Sequence, residues 1–533
     1  MKTTNDSLTN HLKSQHTLHE LEMTIATLVS ERDEVAAERD EVAAERDEFK
    51  HRYYQVLEEL RLARHHRFGA SSEVDTGQGE LFDIEDEPVE AESTTEPSLE
   101  TGKTRRKPKR QPLSKDLPRV VIRHEPEETC CPDCGDELHT IGEDISEKLV
   151  FIPAKVEVEQ HIRPKCVCRH CEQQGESTVI YQASMPATVF PKSFATPSLV
   201  AQVIAMKFQY GLPVTRIASL FGDWGIDISR RTLADWGIQG AEILESVWTH
   251  LRSHLLKESA LNADETPVKV VDSDKSKTYM WVYCSGTDGP EPPTYNENAH
   301  NIVLYDHQMG RSGQYASLFL DGYQGYLHVD GYKGYHDTEA TLVGCWAHAR
   351  RKFIDAQKVQ GNDEGGVRVA LTHIKKLYRT EALLKERNSS ATERYNERQT
   401  SSKAELKKFK KWLDKTVLRI PKQSALGKAV HYTLGQWDKL MRYIDDGRLS
   451  IDNNRGERAI RPFVVGRKAW LFTKSERGAR SSCILYSLVE TAKANGLVPA
   501  EYLTYCFERL AVEPDNLEAL MPWNIKGLLK STK

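Results

Sequence analysis

No stretch of this 533-residue chain approaches the roughly 18–20 consecutive apolar residues of a membrane helix, which excludes a helical membrane protein. The opening Met-Lys-Thr-Thr-Asn-Asp-Ser has no apolar leader core behind it, so the expected compartment is the cytoplasm. Cysteine is scarce, with 10 residues; in a reducing compartment these are buried side chains or metal ligands rather than disulfides. Lys and Arg are missing altogether from residues 72–100, which carry eleven acidic side chains. Such a segment cannot bury enough apolar surface to fold, and a disordered linker is expected there. What remains, 39% hydrophobic and 28% charged, fits a soluble protein of about three or four domains.

The net charge of −5 conceals a division. Residues 1–100 hold 10 Lys+Arg against 25 Asp+Glu, a balance of −15, so the other 433 carry −5 − (−15) = +10. A basic body suits a polyanion such as DNA, although ordinary solvated surface gives the same total. The sign flips sharply at residues 103–110, where six cations include Arg105, Arg106, Lys107, Lys109 and Arg110. Pro108 excludes a good helix interior. A flexible arm lying along phosphates is one reading, and a solubilising linker is the other.

Residues 1–68 read as a coiled-coil helix: Leu21, Leu28, Val35, Val42, Phe49 and Val56 fall seven apart, which predicts self-association. An acidic then basic linker follows at 69–112. Residues 113–180 contain Cys131-x₂-Cys134 and Cys168-x₂-Cys171, separated by 33 residues. Two such knuckles place four thiolates around a structural Zn²⁺, with Cys130 and Cys166 as neighbouring competitors. Alternation predicts strands at 147–152 and 155–162 inside this zinc ribbon. Residues 185–256 read as three helices with Ser229 as an N-cap and Arg230 and Arg231 at the start of the third. That arrangement is helix-turn-helix-like, or else a plain helical bundle. Residues 257–495 mix strands (near 278–284, 301–305 and 325–330) with a helical insertion at about 355–448. Its apolar-poor centre, 389–402, is expected to be a mobile turn. A C-terminal helical tail spans 496–533.

Three acidic positions stand out. Asp264 lies in Leu-Asn-Ala-Asp-Glu-Thr-Pro, Asp330 in Leu-His-Val-Asp-Gly-Tyr-Lys-Gly-Tyr, and Glu457 in Asp-Asn-Asn-Arg-Gly-Glu-Arg-Ala-Ile-Arg-Pro. Two Asp at strand ends and one Glu on a later helix can hold two Mg²⁺ ions beside a phosphodiester. Cations cluster near them: Arg455, Arg458, Arg461 and Lys468 around Glu457, and Arg350, Arg351 and Lys352 after Asp330. Each carboxylate also has an ordinary structural reading. Asp264 and Asp330 can initiate turns, and Asn454 with Glu457 can form a capping box. Cys345 and His348 have ligand-type C-x-x-H spacing, but two ligands make no zinc site. A packed Cys and Trp with His348 facing DNA or the carboxylates is the expectation.

Taken together, Asp264-Glu-Thr, Asp330-Gly-Tyr-Lys-Gly-Tyr, Cys345-Trp-Ala-His348-Ala-Arg-Arg-Lys-Phe and the string from Asp452 through Glu457 to Pro462 resemble the insertion-sequence-66 family of transposases. So do Gly466-Arg-Lys-Ala-Trp-Leu-Phe and the late Met521-Pro-Trp-Asn, and the resemblance covers nearly the whole chain. It implies a multidomain α/β protein with a ribonuclease-H-like catalytic core, a helical insertion, and an Asp-Asp-Glu triad of Asp264, Asp330 and Glu457. It further implies Mg-dependent cleavage and strand transfer, with Mn²⁺ as a substitute. The implied partners are the terminal inverted repeats of the element, target DNA, a second copy of the chain and small accessory transposition proteins. The implied setting is a bacterial nucleoid. Asn262 departs from the family, where His is common, and the long acidic linker is this chain's own. Two alternatives stay open: a metal-dependent nuclease that cuts without joining, and a zinc-ribbon DNA-binding regulator.

Overall fold

The computed structural model describes residues 156–167 and 180–529, apart from 276, 288–294, 298 and 361–364, together with a helical stretch at 23–29 and a few further helical positions up to 46. The ribbon cysteines Cys131, Cys134, Cys168 and Cys171, the basic arm (Arg105, Arg106, Lys107, Lys109, Arg110) and the acidic linker lie outside the described residues. At the N-terminus, the seam positions Leu28, Val35 and Val42 are helical and about 60% exposed. Leu21, Phe49 and Val56 lie outside the described residues.

The chain divides into two compact units, Asp86–Ser184 and the remainder. In the smaller, β1 (Lys165–Val167) pairs antiparallel with β2 (Ile180–Gln182), and Arg163 Nη1 donates to the Ala183 carbonyl at 2.9 Å. The strand expected at 155–162 is not present over residues 156–162. Val158 and Ile162 are 94% and 76% exposed, so the alternating residues have no apolar face to pack against.

Over residues 185–256 the larger unit has four helices, one more than expected, because the chain breaks again at Leu244: α1 (Pro197–Phe208), α2 (Val214–Asp223), α3 (Arg230–Ile243) and α4 (Glu245–Leu255). The expected Ser229 cap is present. Pro213 caps α2, and the Ser229 hydroxyl accepts from Thr232 N at 3.1 Å to cap α3. These helices share their core with the sheet and the C-terminal helices. Trp248 on α4 donates its indole N–H to Ser487 at 3.1 Å, and a side chain at Gly240 would press on Ile204 and Phe507.

The sheet contains β3 (Ala260–Val268), β4 (Thr278–Cys284), β5 (Val303–Gln308), β6 (Tyr326–Val329) and β7 (Thr341–Gly344), in the order β5-β4-β3-β6-β7. The first three pair antiparallel, and β3-β6-β7 run parallel. A short helix, α5 (Gly313–Phe319), joins β5 to β6. β4 is apolar on both faces, as a strand covered on both sides must be. The β5 edge is closed by a helix: Val303 N and Tyr305 N donate to the hydroxyls of Thr491 and Ser487 at 3.0 and 2.8 Å.

Between β7 and the last helices lies the insertion: α6 (Trp346–Gln360), α7 (Gly366–Glu386), α8 (Ala391–Glu397), a π-helical turn (Arg398–Ser402), α9 (Lys403–Val417), α10 (Ala425–Gly435) and α11 (Trp437–Met441). It has its own core around Trp346, Phe353, Ile374, Phe409 and Trp437. The turn expected at 389–402 is instead helical, opened by a Ser390–Glu393 capping box. Its few apolar residues are replaced by buried arginines: Arg398 is fully buried and paired with Glu381. The chain then returns through α12 (Asn454–Trp470), α13 (Glu476–Ala494), α14 (Pro499–Val512) and α15 (Pro522–Ile525). Among the described residues no helix is long and apolar enough to cross a membrane.

Candidate active site

The sheet register brings two of the acidic positions together. In the parallel β3–β6 pair, Ala260 lies opposite Tyr326 and Asn262 opposite His328, a constant offset of 328 − 262 = 66. Carried two residues further, that offset sets Asp330 beside Asp264, since 330 − 264 = 66. Asp264 therefore lies within a strand, not in a turn. Asp330 is the first residue past β6, and its Oδ1 accepts from Tyr332 N at 2.7 Å, so here the turn reading holds as well. Glu457 is in the first turn of α12, which packs across β3 and β4. The capping box expected from Asn454 is absent. Asn453 is the N-cap residue, without a side-chain cap bond, and Asn454 already belongs to the helix.

The electrostatics follow from crowding carboxylates in a poorly solvated place. Burial, then Glu265, Glu457 and Asp330, push the Asp264 carboxyl well above its usual range. Glu457 is pushed up to about 7, chiefly by burial, against the pull of Arg351. Arg351 Nη2 lies 3.8 Å from Glu457 Oε2, and His348 Nδ1 lies 3.5 Å from Oε1. Burial and the same Arg351 lower His348 to about 4, so its imidazole is neutral at physiological pH. Glu457 Oε1 and His348 Nδ1 are both buried and neither makes a hydrogen bond. Such atoms call for a further partner. All-oxygen donors with surplus negative charge fit a hard divalent cation. Cys345 does not add a thiolate: burial pushes its thiol up, and its sulfur accepts from Asn453 N at 3.2 Å. Cys345 and Trp346 pack in the interior with His348 toward the carboxylates, as expected.

The predicted cations divide. Arg351 reaches Glu457, and Arg458 also acts on that carboxylate through its charge. Arg350 is half-buried near Tyr378, whose hydroxyl donates to Asp452 at 3.0 Å. Arg461 is exposed on α12. Arg230 and Arg231 are exposed at the start of α3, with Arg231 3.7 Å from Asp235.

Sequence reasoning missed a second layer. Glu265, next to Asp264, points to the other face of β3. There its carboxylate is held by Arg311 Nε at 2.8 Å and by the Tyr335 hydroxyl at 2.5 Å. The Arg311 guanidinium lies over the Tyr332 ring at 4.0 Å, and the Tyr332 hydroxyl donates to the Arg311 carbonyl. This accounts for Asp-Gly-Tyr-Lys-Gly-Tyr after β6: both tyrosines brace the Glu265–Arg311 pair. A side chain at Gly334 would overlap the Tyr332 ring. The repeated Gly-Tyr was the available signal.

Fold and site thus define a multidomain α/β protein built around a buried acidic centre. Four family models match the chain: "Transposase IS66 family" over residues 192–481, "zinc-finger binding domain of transposase IS66" over 128–172, "Transposase C of IS166 homeodomain" over 55–122, and "IS66 C-terminal element" over 487–523. The chain belongs to the IS66 family of transposases. Among its relatives, the uncharacterized protein y4jD of Sinorhizobium fredii is 32% identical over 431 residues, covering 78% of this chain and 82% of the relative. The uncharacterized protein y4hP of the same organism is 29% identical over 466 residues, covering 84% and 82%. No solved structure matches.

Proposed function

We propose that this chain cuts DNA at the ends of a mobile element and joins them to target DNA, using Asp264, Asp330 and Glu457 as the ligands of two Mg²⁺ ions. The observation that carries the reading is their convergence from three separate elements, with a buried Glu457 oxygen left without a hydrogen-bond partner. The sheet order β5-β4-β3-β6-β7, three antiparallel strands followed by two parallel ones, supports a ribonuclease-H-like core. When bound, the cations supply Lewis acidity and an activated water or 3′-hydroxyl.

The protein's own residues prepare the site. The β3–β6 register fixes Asp264 beside Asp330. Arg351 and neutral His348 flank the Glu457 carboxylate at 3.8 and 3.5 Å without hydrogen-bonding to it. Arg311, anchored by Glu265 and 43% exposed, offers its remaining donors to a phosphate beside Asp330. Further out, Lys407, Lys411 and Lys415 are exposed at helical spacing on α9, beside a groove floored by Trp437 and Met441. That face suits a DNA backbone. Cys131, Cys134, Cys168 and Cys171 are assigned to structural Zn²⁺, the 103–110 arm and the α1–α3 helices to the element ends, and the N-terminal heptads to pairing of two chains. Such a protein works on the bacterial nucleoid, with small accessory proteins as further partners.

The test is transposition of a marked element with its native flanking DNA and neighbouring reading frames, wild type against Asp330→Ala. Movement lost in the variant is the expected result. Movement that survives would sink the assignment. Cut ends without joined product in vitro would favour the nuclease reading.

A further inference from the structure

Away from the carboxylates, α4 carries His250 and His254 one turn apart, the spacing at which two imidazoles on one helix face share a metal ion. Both Nε2 atoms converge on a single oxygen, Glu518 Oε2, at 2.9 and 3.0 Å. Glu518 comes from the short turn Glu518–Leu520 near the C-terminus, 264 positions from His254. The carboxylate is oriented from behind, because Asn524 Nδ2 donates to its other oxygen at 3.1 Å and to the Glu518 carbonyl at 2.8 Å. One wall is aromatic: Trp523 stacks on His300 at 4.0 Å and meets the His254 ring edge-on at 5.2 Å. The histidines are half-buried, with 29% and 17% of their side chains exposed.

We propose that His250, His254 and Glu518 form a divalent transition-metal site of the Zn²⁺ class, separate from the carboxylate centre. Two imidazole nitrogens and one carboxylate oxygen, all within 4.8 Å of one another, are a borderline metal's donor set, with a fourth position open to water. Metal–ligand bonds of about 2.0–2.2 Å need only small side-chain adjustments from this arrangement. The Asn524 contact is the outer support that metal-binding carboxylates characteristically receive. The consequence is mechanical. α4 leads directly into β3, the strand of Asp264, so the ion clasps the C-terminal element to the base of that strand. The site shares no residue with the carboxylate centre.

The experiment is equilibrium dialysis of the untagged full-length protein against Zn²⁺, with bound metal counted per chain. Wild type is compared with the His250→Ala/His254→Ala double variant and with Glu518→Gln. Any zinc on the cysteines is common to all three and cancels. One zinc fewer in the double variant, weaker zinc binding in Glu518→Gln, and a zinc-induced rise in Tm larger in wild type than in either variant are expected. Circular dichroism in chelator checks that the variants fold. Equal zinc content in the three folded proteins would overturn the proposal and leave a His–Glu–His hydrogen-bonded clasp.

Discussion

Asn262 and Asn453 hydrogen-bond side chain to side chain at 2.9 Å, across 191 positions of the chain. The same Asn453 amide donates to the Ala263 carbonyl at 2.8 Å, and its backbone carbonyl accepts from Glu457 N at 3.2 Å to begin α12. One buried residue thus ties the strand of Asp264 to the helix turn of Glu457. Asn453→Ala leaves these buried groups unsatisfied, at a cost of about 1–3 kcal/mol. We expect the single-turnover cleavage rate to fall much further than DNA affinity does, because the loss is of carboxylate alignment. Asn262→His keeps a ring N–H that can face Asn453 and should lose less than Asn262→Ala. Equal losses in rate and affinity for Asn453→Ala would argue against the positioning role.

Removing one carboxylate should separate stability from activity. Asp264 is held near Glu265, Glu457 and Asp330 in a buried setting. Asp264→Asn relieves that repulsion, so its Tm in chelator should match or exceed that of wild type. Cleavage should fall by about 10³-fold or more, as when a site loses transition-state charge stabilisation. Mg²⁺ should raise the Tm of wild type and not of the variant. A thermal-shift series with a gel-based cleavage assay checks all three.

Much of this site was legible in local sequence because the groups that build it announce themselves at short range. Asp264 and Asp330 sit in distinctive strings, and their separation of 66 is the sheet offset itself. Ser229 and Pro213 mark helix starts through local chemistry. What stayed hidden depends on distant partners. Residues 389–402 looked too polar for an ordered helix, yet Glu381 and backbone carbonyls near 443–449 supply the partners of Arg394 and Arg398. The alternation at 156–162 promised a strand and found nothing to cover it. The four-residue strand β7 was too short to stand out, and Glu265 needed Arg311 and Tyr335, both remote in sequence.

The Arg398 network makes a stability prediction. Arg398 donates Nε and Nη2 to the two Glu381 oxygens at 2.8 and 2.7 Å, and its remaining donors reach the carbonyls of Tyr443, Asp446 and Leu449. Glu381→Leu strands two buried guanidiniums, Arg398 and Arg394, and should cost about 3–5 kcal/mol. The double variant Glu381→Leu/Arg398→Met removes the more deeply buried of the two orphaned charges, leaving Arg394 on the Gly447 carbonyl, and should be less destabilised than the single. Denaturant midpoints decide the order. A double variant worse than the single would mean that the three carbonyls outweigh the charge.

Asp306 on β5 gives a pH signature away from the active centre. Burial lifts its carboxyl to about 6, against the hydrogen bond from Gln308 at 2.8 Å. Between the unfolded value near 4 and the folded value, the folded protein holds a proton that the unfolded chain has released. This residue's contribution therefore becomes less favourable as pH rises through that window and stays so above it. Asp306→Asn should stabilise the protein by about 3 kcal/mol at neutral pH and by little below about pH 4. Urea unfolding at both pH values tests it, and a stabilisation independent of pH would refute the electrostatic origin.

The basic face of α9 makes the last prediction, and it distinguishes phosphate contact from ordinary solvated charge. Lys407, Lys411 and Lys415 recur every fourth residue, so they form one exposed row along the helix. Asp414 engages Lys410 at 2.5 Å, which leaves the row to other partners. If each lysine releases one counterion on binding duplex DNA, log K should fall with log salt more gently by about 0.9 per lysine removed. The triple change to Gln should therefore weaken binding at low salt and flatten the slope by about 2–3, equally for element ends and unrelated DNA, because phosphate contacts carry no sequence information. Fluorescence anisotropy across a salt series measures both. An unchanged slope would remove this face from the DNA path and assign the insertion a purely structural part in seating α12. A slope that changes only for element ends would mean that the insertion reads sequence.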